Sequence, residues 1–356
     1  MQRFDVAIFG ADAASAWLSE FLSNKGFSVI LLDERLEIGV PVSMSESVGS
    51  TFMRLMGDMP AERLNLHKVG EVRVRICGAN DPLIFHSGSS PDSMMVASLD
   101  QDKLDKEVAA KAALSGVDIR IRSSLVSARR SGSGYEISYR HGSRTESEMA
   151  DLLVAARPMA GLPGVQDRYT YLTRTIDITR AARKSHEWAE ISICNEGNDG
   201  YSWAVPKQPG IANVGVSSGS RLTAARRDLI LFNRVEMHYA SDLDVISSGF
   251  LFTGLLLGLQ DPIFTTEIDT SLNCASYLGK AIVSEFDSGI ADVATRYEGS
   301  IRNSMLQQVR RGRVVFELLS RAPSEKDILE SLEGRIFGSA NTDELWRLIG
   351  SQQLGP

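Results

Sequence analysis

The stretch Phe4-Asp5-Val6-Ala7-Ile8-Phe9-Gly10-Ala11-Asp12-Ala13-Ala14-Ser15, carried on to Val29-Ile30-Leu31-Leu32-Asp33-Glu34, decides the fold. An apolar run stops at Gly10. Ala14, Leu18, Phe21 and Leu22 then recur at helical spacing up to Gly26, and a second apolar run follows. Strand, turn, helix and strand in this order make a β-α-β unit that holds a dinucleotide when its turn reads G-x-G-x-x-G. Here only the first glycine is kept. Asp12 falls where a phosphate would meet the helix N-terminus, so its carboxylate repels phosphate and can cap the helix itself. Asp33 closes the second strand about 20 residues past the turn, the place of an acid that bonds an adenosine ribose.

The 356 residues are 43% apolar and 23% charged, enough for two cores or one large two-lobed unit. The 38 basic and 45 acidic residues leave a net −7 without long blocks of one sign, which argues against nucleic acid as a partner. Cys77, Cys194 and Cys274 are widely spaced and odd in number, and the five histidines are scattered. Neither a disulfide framework nor a metal site is expected, and a cytoplasmic location is. Met1-Gln2-Arg3 leads straight into a strand, so no signal segment is expected. The longest apolar run, 249–259, falls short of the roughly 18 residues that suggest a membrane span, so no integral membrane segment is expected.

Further along, alternation at Val72, Val74 and Ile76 followed by 83–85 predicts a hairpin, and 99–115 predicts an amphipathic helix. Strands are expected at 117–121, 135–139, 149–155, 190–194, 203–206, 212–216 and 250–253, a helix at 223–239, and mainly helix from Glu267 onward. This order describes a discontinuous two-domain α/β protein. Residues 1–70, 98–160 and 245–300 would form the dinucleotide-binding-type domain, 71–97 and 161–244 a substrate or cap domain, and 301–356 C-terminal helices.

Four segments carry a family resemblance. Glu37-Ile38-Gly39-Val40-Pro41-Val42, Gly200-Tyr201-Ser202-Trp203-Ala204-Val205-Pro206-Lys207, Ile211-Ala212-Asn213-Val214-Gly215-Val216 and Asp261-Pro262-Ile263 resemble the E-I-G-x-P-V, G-Y-x-W-x-F-P-K, A-N-V-G-V and D-P-I segments of the geranylgeranyl reductases. These form a branch of the FAD-dependent oxidoreductases whose fold is shared with aromatic hydroxylases and flavin-dependent halogenases. The likeness runs from Phe4 to about Arg321. It implies a Rossmann-like FAD-binding fold with an inserted, mainly antiparallel sheet domain and a C-terminal helical segment.

The resemblance also implies which residues stand at the family's FAD contacts: Gly10, Asp12, Asp33, Gln101, Arg157, Gly254 and Leu255. Several differ in chemistry from what the family uses. Asp100-Gln101 stands for Asp-Arg, Ala155-Ala156-Arg157-Pro158 for G-A-D-G, Gly254-Leu255 for Gly-Asp, and Thr265-Thr266-Glu267 for a Gly-rich turn facing the flavin. Arg157 is expected to hold an anionic group or to pair with Asp12 or Asp33. Each buried group deprived of its partner costs about 1–3 kcal/mol, against about 8 kcal/mol for micromolar binding. The expectation is therefore that no cofactor is favoured, with FAD as the alternative.

The function expected on this reading is biosynthetic: a redox-neutral cyclisation or isomerisation of an apolar prenyl, polyene or polyketide-like small molecule, held in a reactive shape. Asp12, Glu46, Asp261 and Glu267 are the candidate acids or bases, and no metal is assigned. Tyr201, Trp203, Leu255 and Leu257 are the candidate pocket walls, with ordinary core packing as the other reading. Two further readings stay open. One is an FAD-dependent reductase or monooxygenase of the geranylgeranyl reductase type. The other is a non-catalytic pseudoenzyme that binds a partner protein, or a second copy of itself, through its C-terminal helices. Arg310-Arg311-Gly312-Arg313 reads as a solvated basic face.

Overall fold

Phe4–Phe9 and Val29–Leu32 are almost wholly buried, as strands of a parallel sheet covered by helices must be. The computed structural model describes residues 1–76, 82–86, 96–162, 170–182, 188–194, 200–217, 229–240, 242–259 and 267–306. In chain order the first elements are β1 (Arg3–Phe9), α1 (Ala13–Ser23), β2 (Val29–Leu32), β3 (Ser47–Val48), α2 (Ser50–Met56) and α3 (Ala61–Leu64). Then come β4 (His67–Val69), β5 (Glu71–Ile76), β6 (Leu83–His86), β7 (Val96–Ser98), α4 (Gln101–Leu114) and β8 (Asp118–Arg120). β9 (Ser123–Ser131), β10 (Gly134–His141), β11 (Arg144–Ala155), β12 (Thr170–Ala182), β13 (Trp188–Cys194) and β14 (Gly200–Gln208) follow. The last are β15 (Ile211–Ser217), β16 (Leu229–Ala240), β17 (Ile246–Ser247), β18 (Phe250–Phe252), a 3-10 turn at Gly254–Leu257, α5 (Glu267–Glu285) and α6 (Ile290–Ile301).

The first sheet runs β17-β18-β11-β1-β2-β8, parallel from β18 to β8, with the β9–β10 hairpin joined antiparallel to β11. Helix α1 packs on α4 and α5. The α1–α5 approach is close because a Cβ on Gly279 would lie 2.9 Å from Phe21 and 3.0 Å from Leu18. The second sheet, β16-β12-β15-β14-β13-β5-β6, is antiparallel except where β13 runs parallel to β5. A small third sheet, β3-β7-β4, completes the set. Among the described residues no helix is long and apolar enough to cross a membrane.

One element differs from expectation. The helix predicted over 223–239 is, from Leu229 on, strand β16, paired antiparallel with β12 from Thr170–Ala240 to Ala181–Leu229. Ile230, Phe232, Val235 and Tyr239 are β-favouring residues, and long-range pairing with β12, a strand the sequence reading lacks, overrides the helical pattern. Residues 223–228, the Arg310–Arg313 cluster and the rest of the chain beyond 306 lie outside the described residues.

Candidate functional site

Gly10 leaves β1 with φ +94°, and a Cβ there would stand 2.6 Å from the Cβ of Arg157 just past β11. Asp12 then caps α1: its Oδ1 accepts the Ser15 N–H at 2.9 Å, while Ser15 Oγ accepts the Asp12 N–H at 2.8 Å. The Ala11 N–H donates to Asp33 Oδ2 at 2.6 Å, and the Ala13 N–H donates to Asp105 Oδ1 on α4 at 2.8 Å. Every one of these donors at the helix start, where an anion would bind, is thus taken by a side chain of the chain itself.

Asp33 is gripped by Arg35, whose N–H donates to it at 2.8 Å and whose Nε and Nη2 donate at 2.9 Å. Arg35 also donates to the Ala11 carbonyl. Burial works to raise the Asp33 pKa, but the Arg35 hydrogen bond and charge, with the Ala11 N–H, outweigh it and lower the pKa. The ion pair expected between Arg157 and Asp12 or Asp33 does not form among the described residues. Arg35 already occupies Asp33, and Arg157 Nη1 donates to Ser43 Oγ at 3.0 Å. Two buried atoms of this cradle lack partners, Asp12 Oδ2 and Arg35 Nη1.

Asp105 lies on the inward stripe of α4 with Gln101, Leu104, Val108 and Ala112. Burial first, then the charge of Asp12, pushes its carboxyl up to about 7, against the pull of Arg157, Arg35 and the Ala13 N–H. Its contribution to stability is therefore complete below the ordinary 3.8 and is lost as pH rises through about 7. Asp105→Asn is expected to exceed the wild type in stability at about pH 8 by on the order of 1–3 kcal/mol, with the gap closing near pH 4. Urea melts of both proteins at the two pH values check this.

Gln101 stands at the start of α4, where its Oε1 accepts the Ser43 and Met44 N–H groups at 3.0 and 3.1 Å. Glu267 begins α5, is 3% exposed, and accepts from Ser45 Oγ at 2.8 Å. Two residues on, Asp269 supplies the cap that α2 lacks, accepting the Gly49 and Phe52 N–H groups at 2.7 and 3.0 Å.

A second cluster joins the parallel layer to the middle sheet. Glu46, fully buried at φ +62°, accepts from Arg180 Nε at 3.1 Å, Lys207 Nζ at 2.7 Å, Asn213 Nδ2 at 3.0 Å and the Gln101 N–H at 3.0 Å. Arg180 Nη2 reaches Glu46 as well, and Asp102 at 2.5 Å. Lys207 also meets Asp100 and the Leu99 carbonyl, both at 2.6 Å. Burial and the Arg180 charge lower the Lys207 pKa against the opposing pull of Glu46 and Asp100. Asp100, raised by burial, is lowered overall by Lys207, Arg180 and Asn65.

Strand register explains how the motif residues meet. Arg180 lies opposite Asn213, and Trp203 opposite Gly215. The Trp203 indole N–H donates to Asn213 Oδ1 at 2.8 Å, and its ring covers Gly215, where a Cβ would come within 2.0 Å of it. A bulge between Pro206 and Gln208 brings Lys207 into the cluster. Trp203 is only 2% exposed. Tyr201 lies on the same strand, its side chain outside the described residues. Gly254 has φ +61°, Leu255 is half-buried and Leu257 is buried in the turn after β18, while Asp261, Thr265 and Thr266 lie outside the described residues.

The structure thus brings Gly10, Asp12, Asp33, Gln101 and Arg157 together, and places Glu46 at the seam. Sequence reasoning missed Arg35, Asp105 and Arg180. Asp105 had a signal, an acid inside an apolar helical stripe, and Arg35 follows Asp33 by one strand period. Arg180 had none.

No family model matches the chain. Digeranylgeranylglycerophospholipid reductase 2 of Methanothermobacter thermautotrophicus is 24% identical over 384 aligned residues, covering 98% of this chain and 96% of the relative. A geranylgeranyl bacteriochlorophyll reductase-like protein from Thermoplasma acidophilum superposes with a TM-score of 0.79 at 18% identity, over 94% of this chain and 97% of the other. A flavoprotein/dehydrogenase from Cytophaga hutchinsonii gives 0.73 at 16% identity, over 99% of this chain and 92% of the other.

These relationships overturn the expectation that no cofactor is favoured: they point to FAD. In the arrangement described, the cradle nonetheless does not fit the dinucleotide, because Arg35 and the Ala11 N–H surround Asp33 and Asp105 holds the Ala13 N–H. The unpartnered Asp12 Oδ2 and Arg35 Nη1 leave one acceptor and one donor for a polar occupant. In sequence over nearly its whole length, and in fold, the chain resembles the geranylgeranyl reductase branch of the FAD-dependent oxidoreductases.

Proposed function

We propose that the chain is an FAD-dependent oxidoreductase of the geranylgeranyl reductase type, acting on an apolar prenyl-like substrate. The observation that carries this reading is the match to a digeranylgeranylglycerophospholipid reductase over 98% of this chain and 96% of the relative. The β1–α1–β2 unit ending in Asp33 supports it from the side of the cofactor. Trp203, Leu255 and Leu257 are offered as substrate-side residues on the same reading.

The chain's own residues divide into holders and braces. Asp12 caps α1, and Glu46, with five donor groups of four residues around it, braces the seam between the layers. The Glu46 carboxylate is engaged by these donors and Asp12 commits one oxygen to the cap, so both are assigned positioning roles.

The test is direct. Purified protein is titrated with FAD while flavin fluorescence is followed, then incubated anaerobically with reduced flavin and a geranylgeranyl lipid, and the products are weighed by mass spectrometry. The expected result is saturable binding and a gain of one hydrogen molecule per reduced double bond. Conversion to an isomer of unchanged mass without flavin would instead establish the redox-neutral cyclisation.

A further inference from the structure

We propose that the cavity between α1, the end of α2 and α4 binds a methylated, permanently charged ammonium group. Its volume is about 190 Å³ and it opens to solvent. The proposal does not depend on the FAD reading, since no residue of the cofactor cradle lines this cavity. Trp17 and Phe21, one turn apart on α1, stack with ring centroids 5.3 Å apart and 13° between their planes, and make one wall. Met56, Met59 and Val108, each no more than 8% exposed, supply an apolar floor.

The charges select the occupant. Glu20 lines the same cavity, and its carboxylate has no hydrogen-bond or ion-pair partner among the described residues. Asp58 and Lys111 meet at 3.3 Å and offset one another, so the lining keeps one net negative charge. An anion is therefore disfavoured. A cation is favoured twice, by Glu20 and by the negative faces of the rings. Lys25, a further turn along α1, already stands 5.9 Å from the Phe21 ring centroid, so this aromatic column takes a cation of the chain itself at one end and offers Trp17 at the other. A primary ammonium would need acceptors for three N–H groups, which the rings and the apolar floor do not supply. A methylated nitrogen needs only charge and contact, and this wall, floor and single carboxylate provide both.

Choline is the probe, titrated into the full-length protein at low ionic strength while saturation transfer to its methyl protons is followed by NMR. Saturable binding at about 1 mM or tighter is expected, with neohexanol, the uncharged carbon analogue, about tenfold weaker. Glu20→Gln and Trp17→Leu should each weaken choline about tenfold, their thermal melts confirming that they fold. Lys111→Gln, which removes the cation of the lining and releases Asp58, should bind choline more tightly, a gain that misfolding does not produce. Sedimentation with phosphatidylcholine vesicles identifies the source of the group: pelleting that needs Glu20 assigns a lipid headgroup, and choline binding without pelleting assigns a free small molecule. Equal affinity for choline and neohexanol, variants at Glu20 and Trp17 that bind as the wild type does, a Lys111→Gln protein that binds no more tightly, or no saturation by about 10 mM choline overturns the site.

Discussion

Glu46→Ala is expected to cost about 3–5 kcal/mol of folding stability, because it strips one carboxylate from a buried cluster and leaves its donors without a partner. Lys207, 2% exposed, would keep only Asp100 and the Leu99 carbonyl. Asn213, the Gln101 N–H and much of Arg180 would be left facing a cavity. Urea unfolding of the variant beside the wild type measures the loss. The double variant Glu46→Met/Lys207→Met should lose much less than the sum of its single changes, since apolar groups of similar volume can replace a buried pair with little penalty. A loss for the double variant equal to the sum of the two single losses would mean that packing, not charge pairing, holds the seam.

Gly10→Ala is expected to lose about 2–5 kcal/mol, combining the strain of a side chain at φ +94° with a contact of 2.6 Å to Arg157 Cβ and 2.9 Å to the Arg157 backbone nitrogen. Relief would require the ends of β1 and β11 to part, and these strands form the centre of the parallel sheet. Gly26→Ala is the control: its φ is +93° but nothing lies within 4 Å of the added Cβ, so it carries the strain alone. Thermal melts should rank the wild type above Gly26→Ala and Gly26→Ala above Gly10→Ala. A reversed order would remove the close approach as the reason for glycine.

The parallel layer was legible because its signals are local. A run such as Val29–Leu32, buried on both faces, and a helix whose stripe runs through Ala14, Leu18 and Leu22 announce themselves within a few residues. The capping role of Asp12 was readable for the same reason, since the cap and its partner Ser15 are three residues apart. What stayed hidden depends on contacts between distant segments. β16 takes its conformation from β12, and Arg180 finds Glu46 across two layers. The motif residues from Trp203 to Gly215 suggested a substrate wall, yet register alone reveals that Asn213 serves both the indole and Glu46. The chemistry of the cradle was misjudged in a particular way. Substitutions such as Asp12 were weighed as losses of cofactor contacts, whereas Asp105 and Arg35 fill the same donors and acceptors from within.

The parallel pairing of β5 with β13 has a consequence for how the polypeptide is made. Glu71 lies opposite Trp188, so the hairpin of β5 and β6 leaves the ribosome long before its neighbour is synthesised. Until then one border of that hairpin exposes unsatisfied amides and carbonyls to solvent, a template for mispairing between nascent chains. Slow ribosome transit through the intervening codons, or scarcity of chaperones, should therefore lower soluble yield more than it lowers the melting point of the molecules that do mature.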